Sequence, residues 1–264
     1  MRPKPKKSLG QNFLQDPNIR RKIIAACDFC PDDTVIEIGP GQAAMTELIA
    51  PIVKRLYAIE LDTVLAGMLE EQFKDDPRVS IINQDFLKCD IAALLADSPR
   101  TKVKVFGNIP YYITSPIIQH LFEYRSHISN IYLTVQKEFG QRIVAEPGSE
   151  HYGSFSCFVQ YYTQPRIEFL IKRTCFYPAP KVDSCFLSLS MRPEPAVSVK
   201  DENLLFTIIR RSFGQRRKTL KNCLKGLIPA DNLDSFFEKY SVNPKARAET
   251  LSLQDFANLA NLKN

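Results

Sequence analysis

Short apolar runs bounded by turn residues punctuate the first two-thirds of the chain, and stretches with helical spacing alternate with them. Segments 34–38, 55–59, 79–82 and 103–106 are rich in aliphatic, β-branched and aromatic residues and read as strands. Segments 43–51, 64–73 and 91–96 read as helices, and Ile19, Ile23, Ile24 and Ala26 place an earlier helix over 18–27. Strands alternating with helices at this spacing predict a mostly parallel sheet covered on both faces. Further strands are expected at 130–135, 166–171 and 184–190. The last two suit an antiparallel edge pair, because no long crossover helix separates them.

The pattern changes at Met191-Arg192-Pro193-Glu194-Pro195-Ala196-Val197, where two prolines and lost periodicity mark a linker. Beyond it, 201–213, 216–226, 231–240 and 252–262 read as helices, with Ser252 and Asp255 spaced for a helix start. The expected architecture is an α/β domain over 1–192 and a small helical domain over 193–264.

Composition narrows the class. With 264 residues, 44% of them hydrophobic, the chain can bury a large core and a smaller one. It has no apolar run of about 18 residues, so no membrane span is expected. Its basic start leads into Ser8-Leu9-Gly10-Gln11-Asn12 without the apolar centre of a signal peptide, and a cytoplasmic protein is expected. Seven scattered cysteines fit reduced thiols. Cys27 and Cys30 form a Cys-x-x-Cys with no second pair at zinc spacing, so they are read as buried helix cysteines and no metal is expected. The net charge of +6 favours a polyanionic partner, and ten of the 35 Lys and Arg residues fall within 2–7 and 210–221.

Candidate chemistry gathers at the ends of the expected strands. Glu37-Ile38-Gly39-Pro40-Gly41 follows the first strand, where glycines let a ligand approach the backbone. A tight turn alone would account for them. Glu60, 21 residues after Gly39 at the end of the second strand, is placed for two ribose hydroxyls. Asp85, after the third strand, is placed for an adenine amino group. A dinucleotide would want a third glycine at Ala44 and a backbone donor that Pro40 lacks, and Glu37 would repel pyrophosphate. S-adenosylmethionine, with its cationic end, suits the site better.

Phe106-Gly107-Asn108-Ile109-Pro110-Tyr111-Tyr112 closes the fourth strand. Asn108 and a turned carbonyl at Ile109 are two acceptors for an exocyclic amine, and Tyr111 is a face for stacking. Gripping both amine hydrogens favours a pyramidal nitrogen and returns its lone pair for attack. An ordinary strand-to-helix turn with a proline is the plain alternative.

Taken together, Gln11-Asn12-Phe13-Leu14, the Glu37–Gly41 run, Glu60-Leu61-Asp62, Gly107–Tyr111, Gln136-Lys137-Glu138, Phe176–Ser184 and Phe213–Asn222 closely resemble the KsgA family, the small-subunit rRNA adenine dimethyltransferases. The match runs from about Lys7 to Leu253. The resemblance implies a Rossmann-like class I methyltransferase domain with a helical RNA-binding domain. It also implies a donor site of Asn12, Leu14, Gly39, Glu60, Asp85 and Asn108, and a catalytic set of Asn108, Ile109, Pro110 and Tyr111. Phe176 would cover the other face of the base, although it also reads as core packing beside Pro178 and Pro180. One departure is Ala43, where many members carry glycine. Its methyl is tolerated if the residue already lies in the helix.

The resemblance further implies a target of two adjacent adenosines near the 3′ end of small-subunit rRNA, in an immature 30S-type subunit, for an enzyme acting as a monomer. Arg210, Arg211, Arg216, Arg217, Lys218 and Lys221 suit phosphate contact, with Phe213 and Leu220 anchoring their helices. Lys4, Lys6 and Lys7 would add nonspecific attraction. A solvated basic face is the plain alternative for the first group. Two other functions stay open: a nonenzymatic ribosome-assembly or nucleic-acid-binding factor on this fold, and a large-subunit rRNA methyltransferase of the antibiotic-resistance type.

Overall fold

The computed structural model describes residues 5–6, 9–96 and 102–262. Lys4 and Lys7, expected to attract phosphate, lie outside the described residues. In chain order the elements begin with β1 (Phe13–Leu14), α1 (Pro17–Ala26), β2 (Thr34–Ile38), α2 (Thr46–Ile49), β3 (Arg55–Glu60), α3 (Thr63–Phe73), β4 (Val79–Asn83) and α4 (Ile91–Leu94). They continue with β5 (Val103–Asn108), α5 (Thr114–Glu123), β6 (Ile128–Gln136), α6 (Lys137–Ile143), α7 (Ser154–Tyr162), β7 (Thr163–Ile171), β8 (Phe176–Tyr177) and β9 (Ser184–Met191). The last four are α8 (Glu202–Phe213), α9 (Leu220–Cys223), α10 (Ala230–Lys239) and α11 (Leu253–Leu262).

The chain divides into two compact units, 1–140 with 166–191, and 141–165 with 192–264. The change at 191/192 falls where the prolines lie, but the second unit also takes 141–165. That segment holds α7, whose Ser-Phe-Ser-Cys-Phe-Val-Gln-Tyr-Tyr is too rich in aromatics to read as a helix.

In the first unit a seven-stranded sheet runs in the order β4-β3-β2-β5-β6-β9-β7. The pairs β3–β4, β2–β3, β2–β5 and β5–β6 are parallel, and β9 joins β6 antiparallel. The central strand β2 is buried at all five positions, as expected of a strand covered on both faces. One face packs Ile23, Val35, Ile49, Leu56, Phe106 and Phe186 into a continuous core. The helix α1 begins where Asp16 accepts from the amides of Asn18 and Ile19, with Pro17 in the first turn. A separate two-stranded ribbon pairs β1 with β8 antiparallel.

Three expectations are corrected. The helix α2 starts at Thr46 rather than 43, because Gly39, Gly41 and Ala43 all hold positive φ, of 67°, 59° and 65°. Ala43 is therefore a left-handed, fully buried turn residue and not a helical one. Cys27 is buried at the end of α1, whereas Cys30 is exposed beyond it, so the Cys-x-x-Cys is not a pair of buried helix cysteines. Among the described residues, no group of three or more His, Cys, Asp or Glu is arranged to hold a metal.

In the second unit α8 buries Leu205, Phe206, Ile208 and Ile209, α10 buries Leu233, Phe236 and Phe237, and α11 buries Phe256 and Leu259. Ser252 and Asp255 bond reciprocally through side chain and backbone at the start of α11, as their spacing predicts. The expected helix over 216–226 shrinks to α9, and Gly226 at φ 78° ends the segment after it. Among the described residues, no helix is long and apolar enough to cross a membrane.

Candidate active site

Because β2 has β3 on one side and β5 on the other, the loops after β2 and β5 diverge and leave a crevice at the carboxyl end of the sheet. A cleft opens there. Asn12, Leu14, Gly39, Glu60, Asp85, Asn108, Ile109, Pro110 and Tyr111 all line it. Residues from five separate stretches of sequence thus meet in one place.

The floor carries two carboxyls in different states of satisfaction. Glu60 accepts from the Gly41 amide at 3.0 Å and the Asp62 amide at 2.9 Å. Burial raises its pKa, and these two amides work against the rise. Each oxygen keeps a lone pair for a further donor. Glu37, only 2% exposed in the middle of β2, has one carboxyl oxygen with no partner among the described residues. Burial, with the Glu60 charge adding to it, pushes Glu37 up to about 8. Asp85 caps the turn over Phe86–Lys88 by accepting from the Leu87 amide at 3.0 Å, which aims its carboxyl along the cleft wall.

The roof comes from the N-terminal segment. Lys6 reaches Asp62 at 2.8 Å and Gln11 reaches the same carboxyl at 3.4 Å. Burial opposes ionisation of Asp62, but Lys6 and the Val64 amide hold its pKa below the ordinary carboxylate value. Phe13 packs so closely over Gly41 that a Cβ there would sit 2.9 Å from its ring. Glycine at 41 is thus required twice, by φ and by space. At Gly39 a Cβ would meet nothing within 4 Å. The backbone there lies open to a ligand.

The amine-binding end is ordered by what surrounds Asn108. Its Nδ2 donates to the Asn12 carbonyl at 3.1 Å. A carbonyl only accepts, so this edge of the amide must be its NH2 group and the Oδ1 is left free as an acceptor. Among the described residues, no hydrogen bond reaches the Ile109 carbonyl. Gly107 lets this turn close, since a Cβ there would lie 2.8 Å from the Ile109 side chain. The Tyr111 hydroxyl bonds to Ser184 at 2.7 Å, and Thr114 donates to the Tyr111 carbonyl at 3.1 Å. Burial raises the Tyr111 pKa, so the phenol stays neutral.

Phe176 departs from expectation. It is 4% exposed, belongs to the core with Leu14 and Phe186, and does not line the cleft. In the ribbon, register pairs Leu14 with Phe176, both part of the core, and Phe13 with Tyr177. Several participants escaped the sequence reading. Glu37, expected beside the loop and suited to a cationic ligand, proves to be buried within β2. Phe13, Gln11 and Ser184 are in sequence only markers of resemblance, and nothing in their local spacing reveals their long-range partners.

All six basic residues singled out at 210–221 are exposed on the second unit. Four are engaged: Arg211 donates to the Cys223 and Lys225 carbonyls, Arg216 to the Glu150 carbonyl, Arg210 to Thr207, and Lys221 pairs with Asp234 at 2.6 Å. Arg217 and Lys218 have no side-chain partner among the described residues. Phe213 packs edge-on against Tyr152 and Leu220 is fully buried, so both anchor the surrounding helices.

A mostly parallel sheet with one antiparallel insertion, carrying a cleft at the ends of β2, β3 and β5, defines a Rossmann-like methyltransferase. The fold matches a dimethyladenosine transferase from Plasmodium falciparum with a TM-score of 0.80 at 23% identity, covering 94% of this chain and 95% of that one. It also matches the 23S rRNA methyltransferase ErmE at TM-score 0.77 and 23% identity, over 96% and 99% of the two chains. The chain belongs to the ribosomal RNA adenine dimethylase family, whose profile matches residues 2–264. It is 42% identical over 262 residues to the ribosomal RNA small subunit methyltransferase A of Streptococcus pneumoniae serotype 2, strain D39, covering 97% of this chain and 90% of that protein.

Proposed function

We propose that this protein uses S-adenosylmethionine to dimethylate the exocyclic amines of two adjacent adenosines near the 3′ end of small-subunit rRNA, during assembly of the subunit. The observation that carries the reading is Asn108. Its amide is turned by the Asn12 carbonyl so that Oδ1 stands free beside the unbonded Ile109 carbonyl. Two such acceptors hold both hydrogens of an amine and favour a pyramidal nitrogen, an effect strongest in the transition state. Tyr111, braced by Ser184, offers its ring to the base.

The donor site fits a cationic, adenosine-bearing ligand. Glu37 holds a buried carboxyl oxygen that lacks a partner among the described residues, and the backbone at Gly39 is open. Glu60 would take ribose hydroxyls, Asp85 the adenine amine, and Asn12 and Leu14 would close over the ligand. S-adenosylmethionine supplies a methyl group already activated by its sulfonium charge. Positioning then does most of the catalytic work, and no protein nucleophile is needed. The proton leaves to solvent after transfer. Of the six basic residues at 210–221, Arg217 and Lys218 have no side-chain partner among the described residues and would meet RNA phosphates, with Arg210, Arg211, Arg216 and Lys221 beside them.

The small-subunit target is favoured by the 42% identity to relatives with that name. The fold similarity to ErmE, at 23% identity, carries no weight on substrate. The test is methyl transfer from labelled S-adenosylmethionine to immature small subunits and, separately, to large-subunit RNA, followed by nucleoside analysis. Dimethyladenosine in the small-subunit RNA alone is expected. Transfer to large-subunit RNA alone, or RNA binding with no transfer, would overturn the reading in favour of one of the two alternatives. The reading also has the enzyme acting as a cytoplasmic monomer.

A further inference from the structure

We propose that the first unit carries its own docking surface for a single RNA strand, built from Lys137, Arg173, Lys181 and the ring of Tyr177. The inference rests on the RNA substrate proposed above. Three segments meet there: the β6–α6 junction, and, from a distant stretch of the chain, the turn after β7 and the proline-rich loop before β9. Asp183 braces them, its carbonyl accepting from the Lys137 amide at 3.0 Å and its carboxylate from the Arg173 amide at 2.9 Å. The result is a shallow depression lined by Lys137, Arg173 and Lys181, with Glu138 and Asp183 as the anions in it.

The charges are placed for an external anion. Among the described residues, none of the three cations has a partner for its side chain. The Asp183 carboxylate is turned onto a backbone amide, and the exposed Lys172 adds a fourth positive charge beside Arg173. Over residues 170–182 there are three cations and no anion. Clustered unpaired cations gain most from a polyanion that releases its counterions on binding.

The aromatic element joins this surface to the cleft. Tyr177 is 63% exposed, an unusual placement for a large ring in a strand. Residues directly opposite in an antiparallel pair project from the same face. Tyr177 lies opposite Phe13, so the two rings project from the same face of the ribbon while Phe176 faces the core. Ser184, the residue after Asp183, holds the Tyr111 hydroxyl. An exposed ring carried on the same 170–182 segment as three cations suits an unpaired strand, which offers stackable bases and phosphates in alternation. Phe176 had been expected to supply a base-facing ring in this region. The geometry points to its neighbour for an adjoining nucleotide.

The test uses the full-length protein and an RNA hairpin whose loop holds two adjacent adenosines, with binding followed by fluorescence anisotropy between 50 and 200 mM salt. Tyr177→Ala should weaken binding about tenfold, within the usual range for loss of one stacked base, and Tyr177→Phe should restore it. Lys137→Gln with Lys181→Gln should lower the slope of log K against log salt by about 1.4, at about 0.7 per phosphate contact on a single strand. S-adenosylmethionine affinity and melting temperature should stay at wild-type values in all three proteins. Unchanged RNA affinity and salt slope in both the alanine and the glutamine proteins would overturn the surface. A wild-type protein that methylates the hairpin while the variants match it refutes only this proposal. A wild-type protein that neither binds the hairpin nor methylates immature small subunits refutes the function beneath it.

Discussion

Glu37→Gln should make the ligand-free protein more stable at pH 8 and leave it nearly unchanged at pH 5. Glu37 is buried in β2 with an unpartnered oxygen, and its pKa stands near 8 against an ordinary value of 4.5. Between those two values the folded protein binds a proton that the unfolded chain has released, so wild-type stability falls as pH rises. Above pH 8 the folded protein must carry the buried charge, and the full penalty is present. Each pH unit is worth about 1.4 kcal/mol, so the ceiling is about 5 kcal/mol. Water entry and relaxation of the open cleft reduce it, and about 2–4 kcal/mol is expected. Glutamine keeps the shape and cannot ionise. It also removes a like charge facing Glu60. Urea unfolding of both proteins at half-unit steps from pH 5 to 8 measures the difference directly. Parallel curves, separated by a constant amount across that range, would refute the buried-carboxyl argument.

The other predictions concern the turn and the clamp. Asn108→Ala should lower methyl transfer at least a hundredfold while S-adenosylmethionine binding falls much less; equal loss of both in a calorimetric titration would mean the amide only holds the roof. Ala43→Gly should change stability by less than about 1 kcal/mol, because relief of a left-handed alanine offsets the lost buried methyl; Ala43→Val should cost more than about 2 kcal/mol by denaturant midpoint. Gly140→Ala should destabilise by about 1–3 kcal/mol, since a Cβ there would lie 2.2 Å from the Cys185 sulfur. Adding Cys185→Ala should recover part of that loss in thermal melts, and independent, additive effects would refute the contact.

Much of the fold was legible because its signals are local. The strands β2, β3, β4 and β5 and the helices α1, α3, α8, α10 and α11 each show their period within a window of a dozen residues. Glu60, Asp85 and Asn108 were legible for a related reason, since strand ends in a parallel sheet converge on one edge. What escaped depends on contacts distant in sequence or on backbone angles. Nothing around Phe13 or Phe176 announces a ribbon of two residues each, and nothing around Ser184 announces Tyr111, 73 positions earlier. The positive φ of Ala43 runs against its helix propensity, so a helix was expected there. The aromatic run of α7 imitates a strand for the same kind of reason.

The ribbon that joins β1 to β8 has a consequence for how the molecule comes into being. Its first strand is synthesised well before its partner, which follows more than 160 positions later. Until Tyr177 is available, Phe13 and Asn12 have no strand to settle against, although β2 through β5 can already assemble behind them. The roof over the donor cleft is therefore among the last parts of its unit to form. A nascent chain halted before β8 would carry an assembled sheet and an unfinished binding site, and the growing enzyme would take up its ligand only when that unit is nearly whole.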